Sequence, residues 1–542
     1  MRLWGMREDR SRAARGGGLR RRIAAWCILV CLSWPGPMAD AAELGGPAFW
    51  VAGFRFTGNT VFSDEELARL AADRVGTELT LAAVEEVARR TARFYRERGY
   101  PLAVARVPPQ EVVGGIVEIA ITEGRYAGII LQYAEGAARL PEATVHRLLG
   151  RVRPGTLIEA EFLERAIQLL GEIPGIAVQA SLRSGDVAGT AYLVLSIEPA
   201  DRAHGRIGLG NTASEYLGRL HGFFALALED PTGRGDRLSV QWVAAGSQMH
   251  LGRVSYDAYL PAPWRWEIAY SDTHYALGAP FDALNAHGTA SHVHLSSSYP
   301  LHRSGRGRAD LTFQFTHKNL TDSLLGEERT AEVQAFSATW RGEKRPRAPH
   351  GAARGAWATL TAGRHRFLEG SLDSVEAHLA GPSAQYATLR AGFSSRLPLS
   401  SAASLDLSAS GQWSSHNLVR SEKFSLGGPD GLRAYPAGEA GGDLGWLVRG
   451  EIRSRLGALG AWGRAVEVTA FADAGRVALS KSPAPGTEGE NHRTLAGFGI
   501  GLAYVPDDSV SLRLEYAVPV GGPENLAASA RPRLWARLES TF

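Results

Sequence analysis

Two short segments in the C-terminal third of the chain combine opposite charges with small and aromatic neighbours. They are Leu432-Arg433-Ala434-Tyr435, inside a glycine-rich stretch, and Phe471-Ala472-Asp473-Ala474-Gly475 about 40 residues later. A guanidinium that faces a carboxylate can form two parallel charge-assisted hydrogen bonds, which fix its position and orientation. If the first segment folds back onto the second, the residue types predict an ion pair between Arg433 and Asp473. The alternative is an ordinary solvated Arg433.

The residues around Asp473 alternate with the period of a β-strand. Side chains of a strand point to opposite faces in turn, so Phe471, Asp473 and Gly475 share one face and the alanines between them share the other. Glu451 and Arg453 have the same alternation one strand earlier. They are candidates either for a charged network around the pair or for simple pore lining.

Short alternating segments of this kind recur from residue 201 to residue 542, separated by Gly, Pro, Asn and Asp. This pattern is typical of a membrane β-barrel. We predict strands near residues 202, 217, 236, 249, 264, 288, 308, 329, 354, 384, 403, 442, 463, 493, 509 and 531. Sixteen is an even number, as closure of a single-chain barrel requires.

The connections support a barrel over a soluble β-sandwich. Tight turns at 261–263 and 506–508 fall on the inner side of the membrane, and long loops around 367–383, 417–441 and 478–492 fall on the outer side. A sandwich would need a buried partner for every apolar face. It would also leave unexplained a last strand that ends on an aromatic residue, Phe542, which we interpret as an assembly signal.

Two mixed α/β units precede the barrel, at residues 49–124 and 125–200, after a short linker at 42–48. Each has the predicted order strand, two helices, two strands. In the first unit the opening strand spans residues 50–57, and Ser63 with Glu66 forms a capping box for a helix. The second unit repeats this order, with Pro141 in the first turn of its first helix.

Residues 1–41 have the order of a cleaved secretory signal: basic residues, an apolar run and a small-residue cleavage site. Both cysteines, Cys27 and Cys31, lie inside this segment. It also carries eight of the 59 Lys and Arg and three of the 56 Asp and Glu, which leaves 51 basic against 53 acidic residues. This balance gives no electrostatic basis for binding nucleic acid.

Together these features resemble the two-partner secretion transporters of the TpsB family (haemolysin secretion/activation proteins of the ShlB/FhaC/HecB type), in the superfamily that includes BamA. The resemblance covers essentially the whole mature chain. It rests on FRFTGN at 54–59, GYP at 99–101, VPPQ at 107–110, EG at 123–124, DPTGRGD at 230–236, GGPDGLRAYP at 427–436 and the F-x-D-x-G motif at 471–475. Ala434 stands where the family usually has glycine.

The resemblance implies two POTRA domains in the periplasm and a barrel in the outer membrane of a Gram-negative bacterium. It implies that Leu432, Arg433, Ala434 and Tyr435, on a lumen-folded sixth outer loop, form a latch with Phe471, Asp473 and Gly475. The implied partners are a large secreted TpsA-like β-helical exoprotein, outer-membrane lipid and the barrel assembly machinery. No cofactor is implied, and an adhesin, a cytolysin and a protease are all candidate clients.

One departure concerns pore closure. Some members carry an N-terminal helix that plugs the lumen, but only about seven residues separate the predicted cleavage site from the first strand. The folded-in loop is then expected to close most of the pore at rest.

Other functions are less consistent with the sequence. A general assembly factor would carry more POTRA units, and a passive porin would need none. No G-x-S-x-G, H-E-x-x-H or phosphate-binding loop occurs. His292 and His294 share a strand face and either bind a metal or line a wet surface, and Gly497, Gly499 and Gly501 are interpreted as strand bends.

Overall fold

The computed structural model describes residues 47–542 except 138–139, 215, 260, 280, 347, 349–350, 370–382, 458–459, 484–490, 508 and 522–530. The predicted signal, most of the predicted linker and parts of two predicted outer loops lie outside the described residues. Within the described ranges, no helix is long and apolar enough to cross a bilayer.

The first unit has a three-stranded sheet, a two-stranded sheet and two helices. Its elements are β1 (Phe49–Val51), β2 (Gly53–Thr57), α1 (Asp64–Ala68), a 3-10 turn (Arg69–Arg74), β3 (Thr77–Leu79), α2 (Leu81–Glu97), β4 (Val104–Arg106) and β5 (Ile116–Thr122). The larger sheet has the order β2-β5-β4, with β2 parallel to β5. The predicted capping box of Ser63 and Glu66 is present at the start of α1.

The predicted opening strand at residues 50–57 is two strands. β1 pairs with β3 and β2 pairs with β5. Ala52 separates them, and its N–H and that of Gly53 both donate to the carbonyl oxygen of Gly115, at 2.7 and 3.3 Å. The chain therefore changes partner at Ala52, which residue alternation alone does not reveal.

The second unit repeats the fold without the small sheet. Its elements are β6 (Arg125–Tyr133), α3 (Glu142–Leu149), α4 (Ala160–Gly171), β7 (Ile176–Ser184) and β8 (Thr190–Pro199). The sheet order is β6-β8-β7, with β8 in the centre. Pro141 is the N-cap of α3, and Leu193 and Leu195 of β8 are fully buried against the helices.

Glu123 anchors the end of the first unit. Its carboxylate accepts hydrogen bonds from the N–H groups of Thr60 and Val61, at 2.5 and 2.9 Å, and from the hydroxyl of Tyr95 at 3.1 Å. Burial acts to raise the pKa of Glu123, but the hydrogen bonds from Thr60, Val61 and Tyr95 outweigh it and hold the pKa below its usual value. Because β6 begins two residues later, this carboxylate fixes the first unit beside the start of the second.

Within the described residues, sixteen antiparallel strands close into a barrel. They are β9 (Ala203–Gly210), β10 (His221–Glu229), β11 (Arg237–Ala245), β12 (Met249–Tyr259), β13 (Arg265–Ala276), β14 (His287–Ser304), β15 (Gly307–Leu324), β16 (Glu327–Lys344), β17 (Ala353–Glu369), β18 (Gln385–Pro398), β19 (Ala403–Ser414), β22 (Leu444–Arg455), β23 (Val466–Ala478), β24 (His492–Tyr504), β25 (Val510–Val520) and β26 (Arg533–Thr541). The strands β20 (Phe424–Leu426) and β21 (Ala440–Gly442) form a separate hairpin between β19 and β22. The predicted sixteen-stranded barrel is confirmed.

The barrel wall has the expected polarity. Large apolar side chains such as Leu360, Ile500 and Leu534 are more than half exposed on its outer face, as a lipid-facing surface requires. The opposite faces of the same strands carry charged residues that line the barrel interior. A short helix, Gly460–Ala465, follows β22 on the periplasmic side.

Candidate functional site: a loop folded into the barrel

The loop between β19 and β22 folds back into the barrel interior. Leu432, Arg433, Ala434 and Tyr435, which we call the loop latch, lie between β20 and β21 and are each at most 1% exposed. They pack against Phe471, Leu447 and Leu495 of the wall. Arg433 is thus not a solvent-exposed loop residue.

Consecutive glycines allow the chain to reverse at this depth. Gly427 and Gly428 have φ of +92° and +88°, in the left-handed region that favours glycine. A Cβ at Gly427 would lie 2.2 Å from the carbonyl oxygen of Pro436, and the N–H of Gly428 donates to the carbonyl of Tyr435 at 2.9 Å. The glycine-rich sequence is therefore required by the tightness of the loop.

Arg433 and Asp473 meet directly. Nε and Nη2 of Arg433 donate to the two carboxylate oxygens of Asp473 at 2.9 and 2.8 Å, and the backbone N–H of Arg433 adds a third bond at 3.2 Å. Asp473 is 3% exposed. A bidentate pair with an added backbone bond fixes the loop tip in one position on β23.

Two further carboxylates face the same guanidinium. Nη1 of Arg433 donates to Glu451 of β22 at 2.6 Å and lies 3.4 Å from Glu515 of β25. Arg453, the second candidate on β22, contacts Glu451 and lies 3.2 Å from Asp406. Both candidates therefore belong to the charged network around Arg433, although sequence alternation left them equally consistent with pore lining.

Two aromatic side chains of the wall, Phe471 and Trp535, also contact the loop tip at Arg433. The Arg433 Cζ lies 3.4 Å from the centre of the Phe471 ring, a cation–π contact. On the other side, the indole N–H of Trp535 donates to the carbonyl oxygen of Arg433 at 2.7 Å. Trp535 was not predicted as a site residue, although its alternation with the lipid-facing Leu534 and Leu538 places it on the interior face of β26.

Glycines of the wall make room for the loop, which corrects their interpretation as bends. Gly497 and Gly499 lie within the continuous strand β24. A Cβ at Gly497 would lie 2.3 Å from the Cβ of Ala434, and one at Gly499 would lie 2.5 Å from the Phe471 ring. Gly475 plays the same part on β23, where a Cβ would lie 2.8 Å from Leu426.

Arg449 offsets part of the negative charge at this site. It lies 3.6 Å from Asp473, and its guanidinium donates to the carbonyl oxygens of Asp430 and Pro429 in the loop at 3.1 and 3.3 Å. Arg433, Arg449 and Arg453 thus face Asp473, Glu451 and Glu515. Opposite charges are intermixed in this network, and each of these buried side chains has at least one partner of opposite sign, as buried charges require.

Comparison with known proteins identifies the family. Residues 189–504 match the family described as haemolysin secretion/activation protein ShlB/FhaC/HecB, and residues 49–124 match the POTRA domain of the ShlB type. The chain belongs to the ShlB/FhaC/HecB family. It is an outer-membrane transporter of two-partner secretion. Members of this family transport a secreted partner protein, and their POTRA domains lie in the periplasm.

Individual relatives support this assignment. The heme/hemopexin transporter protein HuxB of Haemophilus influenzae (strain 86-028NP) is 25% identical over 504 residues, 88% of this chain and 84% of the relative. The outer membrane transporter CdiB of Escherichia coli O6:K15:H31 (strain 536 / UPEC) is 25% identical over 452 residues, 81% and 74% of the two chains.

Two solved structures share the fold. CdiB from Escherichia coli superposes with a TM-score of 0.71 at 21% identity over 94% of this chain and 93% of that one. BamA from Haemophilus ducreyi lacking POTRA domains 1–3 superposes with a TM-score of 0.53 at 14% identity over 91% and 100%. The family match favours a transporter over an assembly factor or a porin.

The base of the loop is fixed in the transporter independently of its tip. Asp443, fully buried, accepts hydrogen bonds from the N–H of Leu418 at 3.1 Å and the N–H of Lys481 at 2.8 Å, and lies 3.1 Å from the ammonium of Lys423. These groups come from both ends of the loop and from the next outer loop. Movement of the tip therefore need not unfold its base.

The DPTGRGD segment at residues 230–236 packs against the second N-terminal unit. It forms the periplasmic turn between β10 and β11, where Asp236 accepts a hydrogen bond from Tyr256 at 2.8 Å. A Cβ at Gly235 would lie 2.4 Å from Ile173, and one at Gly175 would lie 2.4 Å from Asp230. Glycines on both sides therefore let the turn and the domain approach closely.

A charged triad fixes the same domain to a second turn. Nε of Arg303 donates to Glu172, after α4, at 2.6 Å, and Nη2 bonds Asp310 of β15 at 2.5 Å. Arg303 is 6% exposed. Sequence analysis did not single out Arg303, because its partner Glu172 lies 131 residues away in the chain.

The remaining predicted positions have simpler surroundings. His292 and His294 are neighbours on β14, with ring centres 6.1 Å apart, but the described part of the chain holds no group of three His, Cys, Asp or Glu that could bind a metal. Phe542 is 61% exposed, and its backbone pairs with Gly205 of β9 through bonds of 2.8 and 3.0 Å. It therefore borders the joint between the last and first strands.

Proposed function

We propose that this transporter takes up its partner in the periplasm as an unfolded chain and passes it through the barrel while the loop latch leaves its place on the wall. The observation that carries the proposal is the burial of Arg433 against three carboxylates. This site lies inside a barrel that follows two N-terminal domains on its periplasmic side. Such an arrangement holds the loop firmly in one position, yet every contact of the tip is non-covalent and can be exchanged for water.

The energetics of the latch suit a two-state element. Removing one partner from a buried ion pair costs about 3–5 kcal/mol, whereas a wet pair contributes about 0–1 kcal/mol. Water entering the lumen with a client therefore lowers the barrier to release of Arg433 from Asp473. The latch is held while Arg433 and Asp473 are buried and is weakened once water reaches the pair.

The open edge of the second POTRA sheet is the proposed capture site. β7 is nine residues long and, among the described residues, pairs only with β8. The opposite edge, β6, is partly covered, since Tyr126 exchanges backbone hydrogen bonds with Gly155 and Thr156. An unfolded client can add a strand along β7 through main-chain hydrogen bonds, without a specific sequence.

The proposed client is a large TpsA-like exoprotein that folds into a β-helix outside the cell. Folding on the outer side gives the movement a direction without nucleotide hydrolysis, and we infer no catalytic step. Insertion of the transporter into outer-membrane lipid would depend on the barrel assembly machinery, with Phe542 as the residue that the machinery recognises. The support for this last role is the exposed aromatic terminus beside β9.

Cysteine labelling tests the movement of the latch. Both natural cysteines lie in the predicted signal, so Leu432→Cys in the mature chain provides one buried thiol. We expect a membrane-impermeant maleimide added outside to leave this thiol unlabelled at rest and to label it during client transit. Asp430→Cys, at an exposed position of the same loop, should react in both states. Protection of Leu432→Cys throughout secretion would contradict the proposal.

Hydrogen exchange tests the capture step. Adding an unfolded client fragment to the full-length transporter in detergent should slow amide exchange in β7 and leave the central strand β8 unchanged. A folded client should not have this effect. Equal protection by folded and unfolded client would show that edge pairing is not the mode of binding.

A further inference from the structure

A cavity of about 520 Å³ lies on the outer face of the barrel wall, between β15 and β19. The small side chains of Ala362 and Ala387 form its floor, and Phe315 and Phe336 form one wall. The outward direction follows from alternation, because the lipid-facing Leu360 lies two residues from Ala362 on β17 and is 57% exposed. The cavity is thus separate from the latch and opens towards lipid.

Its position in the membrane follows from the course of β17. This strand rises from a periplasmic turn, so its C-terminal end lies on the extracellular side. The outward-facing residues change from Leu360 to Ala362 and then to Arg364 and Arg366 along it. The apolar band therefore ends within the cavity, at the level of the outer leaflet.

The rim above this boundary is polar and positively charged. It is formed by Gln334, Arg364, Gln385, Ser415 and His416. Nε and Nη2 of Arg364 donate to the amide oxygen of Gln334 at 3.1 and 2.7 Å. In the part of the chain that the structure describes, no carboxylate lies within ion-pair distance of Arg364.

Arg366, two residues further along β17, adds a second cation, and this one has a carboxylate partner. Arg366, whose side chain is 72% exposed, lies 3.0 Å from Glu332. Glu332 also lies 3.5 Å from His317, and it offsets the charge of Arg366 rather than that of Arg364. The rim keeps a net positive charge that centres on Arg364.

We propose that this cavity binds an anionic, phosphorylated glycolipid of the outer leaflet, of the lipid A class. An acyl chain would lie on Ala362 and Ala387 against the two phenylalanines, because that part is apolar and faces hydrocarbon. A phosphate would accept hydrogen bonds from the Arg364 guanidinium, whose planar geometry matches phosphate oxygens. The extracellular position selects an outer-leaflet lipid, and the unpaired positive charge selects an anionic headgroup.

Binding can be measured on the full-length transporter in lipid nanodiscs that contain bisphosphorylated lipid A at varied content, by native mass spectrometry. Arg364→Gln should weaken this binding about tenfold, the loss of one charged hydrogen-bonded contact. The matched control is Arg354→Gln, which changes an exposed arginine on the same face of β17 at its periplasmic end. This control should bind as tightly as the wild type.

Two further comparisons separate the sources of affinity. Ala387→Trp should fill the floor and weaken binding while leaving the charge unchanged. Dephosphorylated lipid A and phosphatidylglycerol should both bind the wild type more weakly than bisphosphorylated lipid A, and inorganic phosphate should not compete. Heat-modified migration on gels checks that each variant barrel is folded. Unchanged binding by folded Arg364→Gln, or equal binding of the phosphorylated and dephosphorylated lipids, would overturn the proposal.

Discussion

Ala434 and Gly497 lie so close together that a Cβ on the glycine would be 2.3 Å from the alanine methyl. The methyl group of Ala434 therefore occupies the space left by a missing side chain in the barrel wall. At this contact the shapes of loop and wall match to within one methyl group.

This contact gives the first prediction. Gly497→Ala should displace the loop tip and reduce secretion about tenfold, because two methyl groups cannot share the site and overpacking typically costs about 1–3 kcal/mol. Adding Ala434→Gly should restore most of the activity. Client in the medium is measured against transporter in the membrane fraction.

Gly501 is the matched control for this pair. It lies on the same face of β24, but a Cβ there would meet its nearest atoms at 3.3–3.5 Å. Gly501→Ala should secrete like the wild type. Failure of Ala434→Gly to rescue Gly497→Ala would show that the defect does not arise at this contact.

The ion pair gives the second prediction. Arg433→Ala and Asp473→Ala should each reduce secretion at least about tenfold and leave barrel insertion nearly intact, because each removes one partner of the buried bidentate pair, a loss that costs up to about 3–5 kcal/mol. The double variant should be little worse than either single variant, as expected for groups in contact.

Exchanging the two charges should restore secretion only in part, since Glu451 and Glu515 would then face a carboxylate at position 433. Arg308→Ala, which breaks an exposed ion pair with Glu343 at the periplasmic end of β15, is the control. Wild-type secretion by Arg433→Ala would show that the loop tip has no part in transport.

The buried carboxylate of Glu123, at the end of the first unit, gives the third prediction. Glu123→Gln should increase amide exchange at residues 58–62, because the loss of the carboxylate weakens bonds from Thr60, Val61 and Tyr95. The folded pKa of Glu123 lies below its unfolded value, so its contribution to stability is full above the unfolded pKa and disappears as pH falls through the folded pKa.

The difference between wild type and Glu123→Gln should therefore be large at neutral pH and vanish in acid. Glu111→Gln is a suitable control, since Glu111 is an exposed acid in the segment before β5. A difference that grows on acidification would contradict the assigned role of the ionised carboxylate.

The docking of the second N-terminal unit on the barrel gives the fourth prediction. Arg303→Ala should loosen this domain from the barrel, because Glu172 and Asp310 would both lose their partner. Spin labels on α4 and on the turn after β14 should show a broader distance distribution in the variant. A distribution as narrow as that of the wild type would show that the other contacts are sufficient, namely the glycine-mediated contact at residues 230–236 and the hydrogen bonds of Arg165 and Glu164 to residues 300–305.

Sequence alone predicted the barrel well because each strand has its own alternation. Strand number, parity and the interior position of Asp473 all follow from a period of two, and the capping box of Ser63 and Glu66 is a local signal. The partners of Arg433 were harder to predict. Trp535 lies 102 residues from it, and an interior tryptophan on a barrel strand has no distinctive neighbours in sequence.

The same reason explains the other differences. The break between β1 and β2 depends on a hydrogen bond to Gly115, more than sixty residues away, and Gly497 has meaning only once Ala434 is placed against it. Arg303 was missed because charged residues near strand ends are common. Contacts between distant segments were predictable only where a motif marked each end. Leu432-Arg433-Ala434-Tyr435 and the F-x-D-x-G motif at 471–475 are such a pair.

The surroundings of Arg433 also constrain the order in which the barrel is built. Its guanidinium and carbonyl groups contact β22, β23, β25 and β26, at separations of 18, 40, 82 and 102 residues. Contacts across such long separations form late, because the entropy cost of closing the chain must be met before the contacts stabilise the structure. The loop can settle fully only after β26 has joined the barrel, so a buried Arg433 bound to Trp535 marks a barrel in which β22, β23, β25 and β26 are already in place.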